Sequence, residues 1–303
     1  MTAGYAHPDY ARSFAEYGTP VELPRCGGWV LERRIPGVAA TDAMGCYPLF
    51  VCQDWSRLGE DLRNLRSRLV SLVLVADPFG NHTREQLHAC FDLVRPFKQH
   101  VIVDLSRPRE KVVSAHHRKM ARRALKHLAI ERCEAPLSCL DRWVELYTHL
   151  VEKHEIRGIP AFSRESFCRQ FQVPGASLFT ATHEGRLVGA ALSYQQGDVV
   201  YAHLASFNEI GYDLSASYGL KWVQLDYYSG KARWLDLGGV PGTEEVGNGE
   251  AGLGKFKRGW SPETRMVYLC GGIFDPQKYA ALVHESGASH QGYFPAYRTG
   301  EFK

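Results

Sequence analysis

The spacing of apolar residues predicts alternating strands and helices along the chain. Leu58, Leu62 and Leu65 recur at three- and four-residue intervals, which predicts a helix over about 57–68. "RLVSLVLVAD" is a continuous apolar run stopped by Asp77-Pro78, the pattern of a strand covered on both faces. Thr83 can cap a helix to about Val94, with Glu85 in its first turn. "HVIVDL" predicts another strand. With further strands near 28–33 and 47–53, the first hundred residues read as β-α-β-α-β.

The pattern starts again after Pro136. In "DRWVELYTHLVEKH", Trp143, Leu146, Tyr147 and Leu150 share one helical face, and Gly158 and Pro160 then end the helix in a loop. Ser163 can cap "RESFCRQF". Strands follow at about 177–183, 186–195 and 199–205, separated by Glu184-Gly185 and Gln196-Gly197-Asp198, which predicts an antiparallel meander. Asp213 or Ser215 can cap a long helix closed by Gly230, and "ARWLDL" is the next strand. The glycines from Gly238 to Gly254 let the chain turn back, with Glu244 and Glu245 keeping that loop wet.

Composition narrows the class. Of 303 residues, 45% are hydrophobic and 23% charged, an ordinary globular balance. The net charge, 36 − 33 = +3, is too small to argue a nucleic-acid partner from the whole chain. No apolar run approaches the roughly 18 residues of a membrane span, and the N-terminus lacks the apolar core of a signal peptide. A cytoplasmic location is the expectation. The eight cysteines form no C-x-x-C pair and read as core thiols. His116, His117 and His127 share no close ligand spacing, so no metal is expected. The segment 107–132 differs: nine Lys or Arg against two Glu, 9 − 2 = +7. Ser114 can start its helix, with Met120, Ala124, Leu125 and Leu128 as the apolar stripe. The basic face is either simply solvated or a cradle for phosphate or an anionic substrate.

"VYAHLASFNEIGYDLSASYGLKWVQLDYYSGKARWLDLGGV", followed by "GLGKFKRGW", resembles the C-terminal domain of the FemABX-like branch of the GNAT acyltransferase superfamily. "RKMARRALKHLAIER" resembles the basic helix that precedes that domain, and the resemblance covers about 108–268. It implies an α+β fold with tandem GNAT-like domains, the first degenerate: 1–110, a connecting helix over 111–135, and a catalytic domain over 136–303. It also implies transfer of an acyl or aminoacyl group from an activated ester to the amine of a small acceptor. The best-known members use aminoacyl-tRNA. No cofactor, metal or covalent enzyme intermediate is called for. Acyl-CoA is the alternative donor, and a non-catalytic binding module the alternative use of the fold. CoA is disfavoured because "SFNEIGYDLSASYGLKW" holds one isolated glycine turn and an acidic Asp213 where CoA-using members carry a glycine-rich pyrophosphate loop.

The same resemblance nominates residues. Lys257 matches the F-K lysine and can steady the negative charge that builds on the carbonyl oxygen, unless it is one of a surface pair. Arg258 and Lys255 would hold donor phosphates. Phe256 is counted with the substrate-binding residues, and it and Trp260 stand four apart as an anchor. His203, on a central strand, is either a general base or a core histidine. Asp236 is either catalytic or a cap of the glycine turn. Tyr201 and Tyr218 resemble pocket tyrosines, although core packing suits both. Arg157, in the Gly158–Pro160 loop, would face the acceptor.

Overall fold

A computed structural model of the chain describes residues 2–240, 248–288 and 292–301. The acidic loop around Glu244 and Glu245 lies outside them. In chain order the elements are α1 (Pro8–Arg12), β1 (Thr19–Leu23), β2 (Gly28–Arg34), β3 (Thr41–Gly45), α2 (Leu58–Leu65), β4 (Ser71–Val75) and α3 (Arg84–Cys90). Then come β5 (Leu93–Asp104), α4 (Arg109–Val112), α5 (Ala115–Ala124), β6 (Ala129–Arg132), α6 (Leu140–Lys153) and α7 (Arg164–Gln170). The meander follows as β7 (Ala176–His183), β8 (Arg186–Gln196) and β9 (Val199–Phe207). The last elements are α8 (Glu209–Asp213), α9 (Ala216–Tyr228), β10 (Trp234–Val240), α10 (Asn248–Arg258), β11 (Thr264–Ile273) and α11 (Pro276–Glu285).

The chain divides into two compact units, neither a single stretch of sequence. One comprises Tyr5–Phe97, Arg157–Ala161 and Val267–Lys303. Its strands run antiparallel from β1 to β2 to β3, then β3 pairs parallel with β4, and β4 pairs antiparallel with the later part of β11. Leu58, Leu62 and Leu65 are all buried in its core, as their spacing requires. The stretch 47–53 is not a strand. Only Phe50 bridges, to Ala76, because β3 already takes the ladder position beside β4. Leu49, Phe50 and Val51 are apolar because they are buried, which periodicity alone cannot distinguish from pairing.

The other unit comprises Met1–Gly4, Lys98–Ile156 and Phe162–Met266. β6, β7, β8 and β9 form the predicted antiparallel meander, and β10 lies parallel to β9 and antiparallel to β5. One face of this sheet carries the core built from Val101, Val103, Val200, Leu235, Leu237, Trp260 and the buried side of α9. The basic helix α5 packs into this core through His117, Ala121 and Ala124 rather than through Met120 and Leu125; Leu125 is exposed. The long helix predicted before β10 is α9, with Ser215 at its N-cap position, and a short helix, α8, precedes it. Asn208 caps α8, accepting from the Gly211 N–H at 2.9 Å, and Ser215 breaks the path with φ 61°. Asp213 therefore ends α8 and does not stand at the start of α9.

Candidate functional site

The site is built around an irregularity in β10. Alternation along the strand sends Leu235 and Leu237 into the core and Asp236 the other way. Asp236 pairs with Ile102 and Gly239 with His100, so β10 carries one residue more than β5 between these points, a β-bulge. Gly238 supplies the left-handed backbone there, φ +79°. The Asp236 carboxylate accepts the Gly238 N–H at 2.7 Å. It also accepts from His100 Nδ1, at 2.8 Å to one oxygen and 3.0 Å to the other. Both side chains are buried, Asp236 at 2% exposure and His100 at 7%. On the other side, the β9–β10 ladder stops at Tyr201–Asp236, although both strands continue.

Lys257 reaches the bulge from the last turn of α10. Its ammonium donates to the Gly239 carbonyl at 2.7 Å, and a Cβ placed on Gly238 would lie 3.2 Å from Nζ. The helix end is fixed independently of the lysine. His117 Nε2 donates to the Phe256 carbonyl at 2.8 Å, since a carbonyl can only accept, which leaves Nδ1 to accept from the Ser114 hydroxyl at 3.1 Å. The rings of Tyr218, Phe256, Trp260 and His117 pack edge-on or tilted, with centroids 4.9–6.2 Å apart. Trp260 is fully buried. Burial pushes the half-buried Lys257 down to about 8; the Asp236 carboxylate opposes that shift and Lys98 adds to it. A lysine so placed is still mostly charged at neutral pH.

A second lysine stands nearby. Lys221, half-buried on α9, donates to Gln224 Oε1 at 2.7 Å and is pushed down to about 7, first by burial and then by the Lys257 charge. Neither Lys221 nor His100 was nominated from the sequence. The alternation in "HVIVDL" puts His100 on the face opposite Val101 and Val103, which is a usable signal, but nothing local says that Asp236 lies across from it.

The remaining nominated residues are placed as follows. Asp236 and Lys257 meet at the bulge, and Tyr218 and Phe256 form the packing beside it. Lys255 and Arg258 are exposed. Tyr201 is buried on β9, opposite Tyr194 and Asp236 in the ladders. His203 sits against the rings of Tyr194 and Phe162, with Nε2 3.3 Å from Gln170 Oε1, and burial pushes it down to about 3. A base that weak is poorly matched to neutral pH. Arg157 is exposed and belongs to the other compact unit. Among the described residues there is no His, Cys, Asp or Glu cluster fit for a metal, and no helix long and apolar enough to cross a membrane. All eight cysteines are free.

Residues 111–257 match the family model of the acetyltransferase (GNAT) domain. FemX has the same fold, with a TM-score of 0.67 at 15% identity, over 90% of this chain and 93% of that one. The fold is that of the GNAT superfamily, in its FemABX-like form. L-PGS from Bacillus licheniformis shares it at a TM-score of 0.59 and 12% identity, over 90% of this chain and 94% of that one. So does the C-terminal domain of a protein assigned as a lysylphosphatidylglycerol synthetase from Agrobacterium fabrum, at 0.61 and 13%, over 94% and 91%. No curated protein matches the sequence. At these identities the structural likenesses concern the fold. The matched GNAT segment contains the meander, the bulge, α9 and α10 as far as Lys257, whereas His100 on β5 and Trp260 lie outside it.

Proposed function

We propose that the protein is an N-acyl- or aminoacyltransferase that forms an amide by direct attack of an acceptor amine on an activated acyl ester, with aminoacyl-tRNA as the donor. The observation that carries the reading is Lys257. A half-buried ammonium, held at a strand bulge by the Gly239 carbonyl and aligned by the packed Phe256 and Trp260, is a fixed donor for a developing oxyanion. Its cation needs no reorganisation during the reaction. The ester donor, the small amine acceptor and a cytoplasmic setting belong to the same proposal, as does the division into a degenerate first domain over 1–110, a connecting helix and a catalytic domain over 136–303.

Acyl-CoA is the second reading, and one observation favours it. Asp213 closes α8, and the first turn of α9 carries no acidic residue and no side-chain cap, so the acid that argued against a pyrophosphate is not at that helix start. The test is to incubate the protein with a total aminoacyl-tRNA pool and, separately, with acetyl-CoA, each with a mixture of low-molecular-weight amines, and to follow new amides by mass spectrometry. Amide formation in the tRNA arm, reduced about a hundredfold by Lys257→Met, is the expected result. Amide formation in the CoA arm alone reverses the ranking, and turnover that survives Lys257→Met removes the lysine from the chemistry.

A further inference from the structure

We propose that His100 is the proton acceptor of amide formation, with Asp236 as its positioning residue; the inference rests on the acyl-transfer reading of this site. A carboxylate has no proton to offer, so the Asp236–His100 contact at 2.8 Å and 3.0 Å requires the proton on Nδ1. The neutral ring then carries its lone pair on Nε2, the nitrogen that can take a proton. Nothing among the described residues bonds Nε2, and the side chain keeps 7% exposure. The other histidines on these elements are engaged differently: His117 uses both nitrogens, on Phe256 and Ser114, and His203 rests on Gln170 between two rings.

The geometry places base and oxyanion donor on the same few residues. His100 pairs with Gly239 across the sheet, its Cδ2 would be 3.3 Å from a Cβ on Gly239, and Lys257 donates to the Gly239 carbonyl. The charged groups of this corner are Asp236 on β10, Lys257 on α10 and Lys98 on the strand of His100 itself. In the step, the amine nitrogen bonds to the carbonyl carbon while its proton passes to His100 Nε2, and Lys257 faces the oxygen that gains charge. The ester C–O bond then breaks, and the leaving oxygen takes the proton from Nε2. Ester and amine are consumed, amide and the free hydroxyl are formed, and no further reactant is needed.

His100→Gln is the primary variant, because its amide N–H can still donate to Asp236 while it lacks a basic nitrogen. With whichever donor supports turnover, it should lower kcat by about 10²–10⁴-fold, the scale of general acid–base catalysis, and should remove the acidic limb of the pH–rate profile. Added imidazole should restore part of the rate in His100→Ala. A variant that keeps both the rate and the limb overturns the assignment even where Lys257→Met is inactive, and loss in His100→Gln beside an active Lys257→Met overturns only the lysine. Two measurements on the wild-type chain need no substrate. Nitrogen-15 NMR should find the neutral ring protonated on Nδ1, and diethyl pyrocarbonate should modify His100 on Nε2, about tenfold more slowly in Asp236→Asn, where the amide can offer the ring a proton instead of accepting one. A proton on Nε2, or a His100 left unmodified while the exposed His116 reacts, overturns the proposal.

Discussion

Lys257 should titrate near pH 8, and its labelling by acetic anhydride should show it. An ordinary lysine titrates near 10.4, so at about pH 7.5 only about one such side chain in a thousand is neutral, against roughly a quarter for Lys257 at about 8. Only the neutral amine reacts. Burial slows the absolute rate, but it does not move the midpoint of the rate–pH curve, so the midpoint is the quantity to read, peptide by peptide, by mass spectrometry. Three causes set it. Desolvation is the largest and lowers it, Asp236 raises it and Lys98 lowers it. Asp236→Asn therefore moves the midpoint further down, and Lys98→Met moves it up. The sign for turnover follows. If the ammonium is the working form, kcat holds below pH 8 and falls as pH rises through it. The sign for stability is opposite: the folded chain gives up this proton before the unfolded one, so the group adds stability as pH rises from about 8 towards 10.4. A labelling midpoint near 10.4, or one that Asp236→Asn leaves in place, refutes the burial of this ammonium beside that carboxylate.

Three further outcomes are expected. Asp42→Ala should cost about 3–5 kcal/mol in urea unfolding, because fully buried Asp42 holds Arg298 through two bonds, at 2.5 Å and 2.9 Å, and stands 3.7 Å from buried Arg33; a loss below about 1 kcal/mol would contradict it. Gly238→Ala should destabilise by about 1–2 kcal/mol through its φ of +79° and, by pressing on Nζ at 3.2 Å, should also shift the Lys257 labelling midpoint; an unmoved midpoint would mean that the lysine does not rest on the bulge. His203→Gln should leave both limbs of the pH–rate profile in place, because a group pushed down to about 3 does not change charge near neutrality; loss of a limb would restore His203 as the base.

The parts of this molecule that were legible are those whose signal is local. The meander announces itself through alternation and Gly turns, and its three strands lie within two residues of their expected bounds. Phe256 and Trp260, four apart, do anchor the end of α10, which made Lys257 readable as a residue turned elsewhere. The misread elements all depend on a neighbour far along the chain. The buried face of α5 is chosen by α9 and α10, so His117 goes inward and Leu125 outward, against the order of their hydrophobicity. His100 and Asp236 are 136 residues apart, and only the placement of β5 beside β10 brings them together. A single sequence contains both residues and both strands but not the pairing.

That separation also explains why the bulge matters more than any one side chain in it. In a regular ladder, the residues after Asp236 would continue opposite β5, with each carbonyl turned into a strand partner. One extra residue breaks that register between Asp236 and Gly239. The Gly238 N–H is freed to hold the Asp236 carboxylate, the carboxylate is thereby held for His100, and the Gly239 carbonyl is free to receive Lys257. Three elements, β5, β10 and α10, thus each deliver one titratable group to one irregular turn. A substitution that regularises the turn should disturb all three together, whereas the loss of His100 leaves Asp236 bonded to the Gly238 N–H and Lys257 bonded to the Gly239 carbonyl.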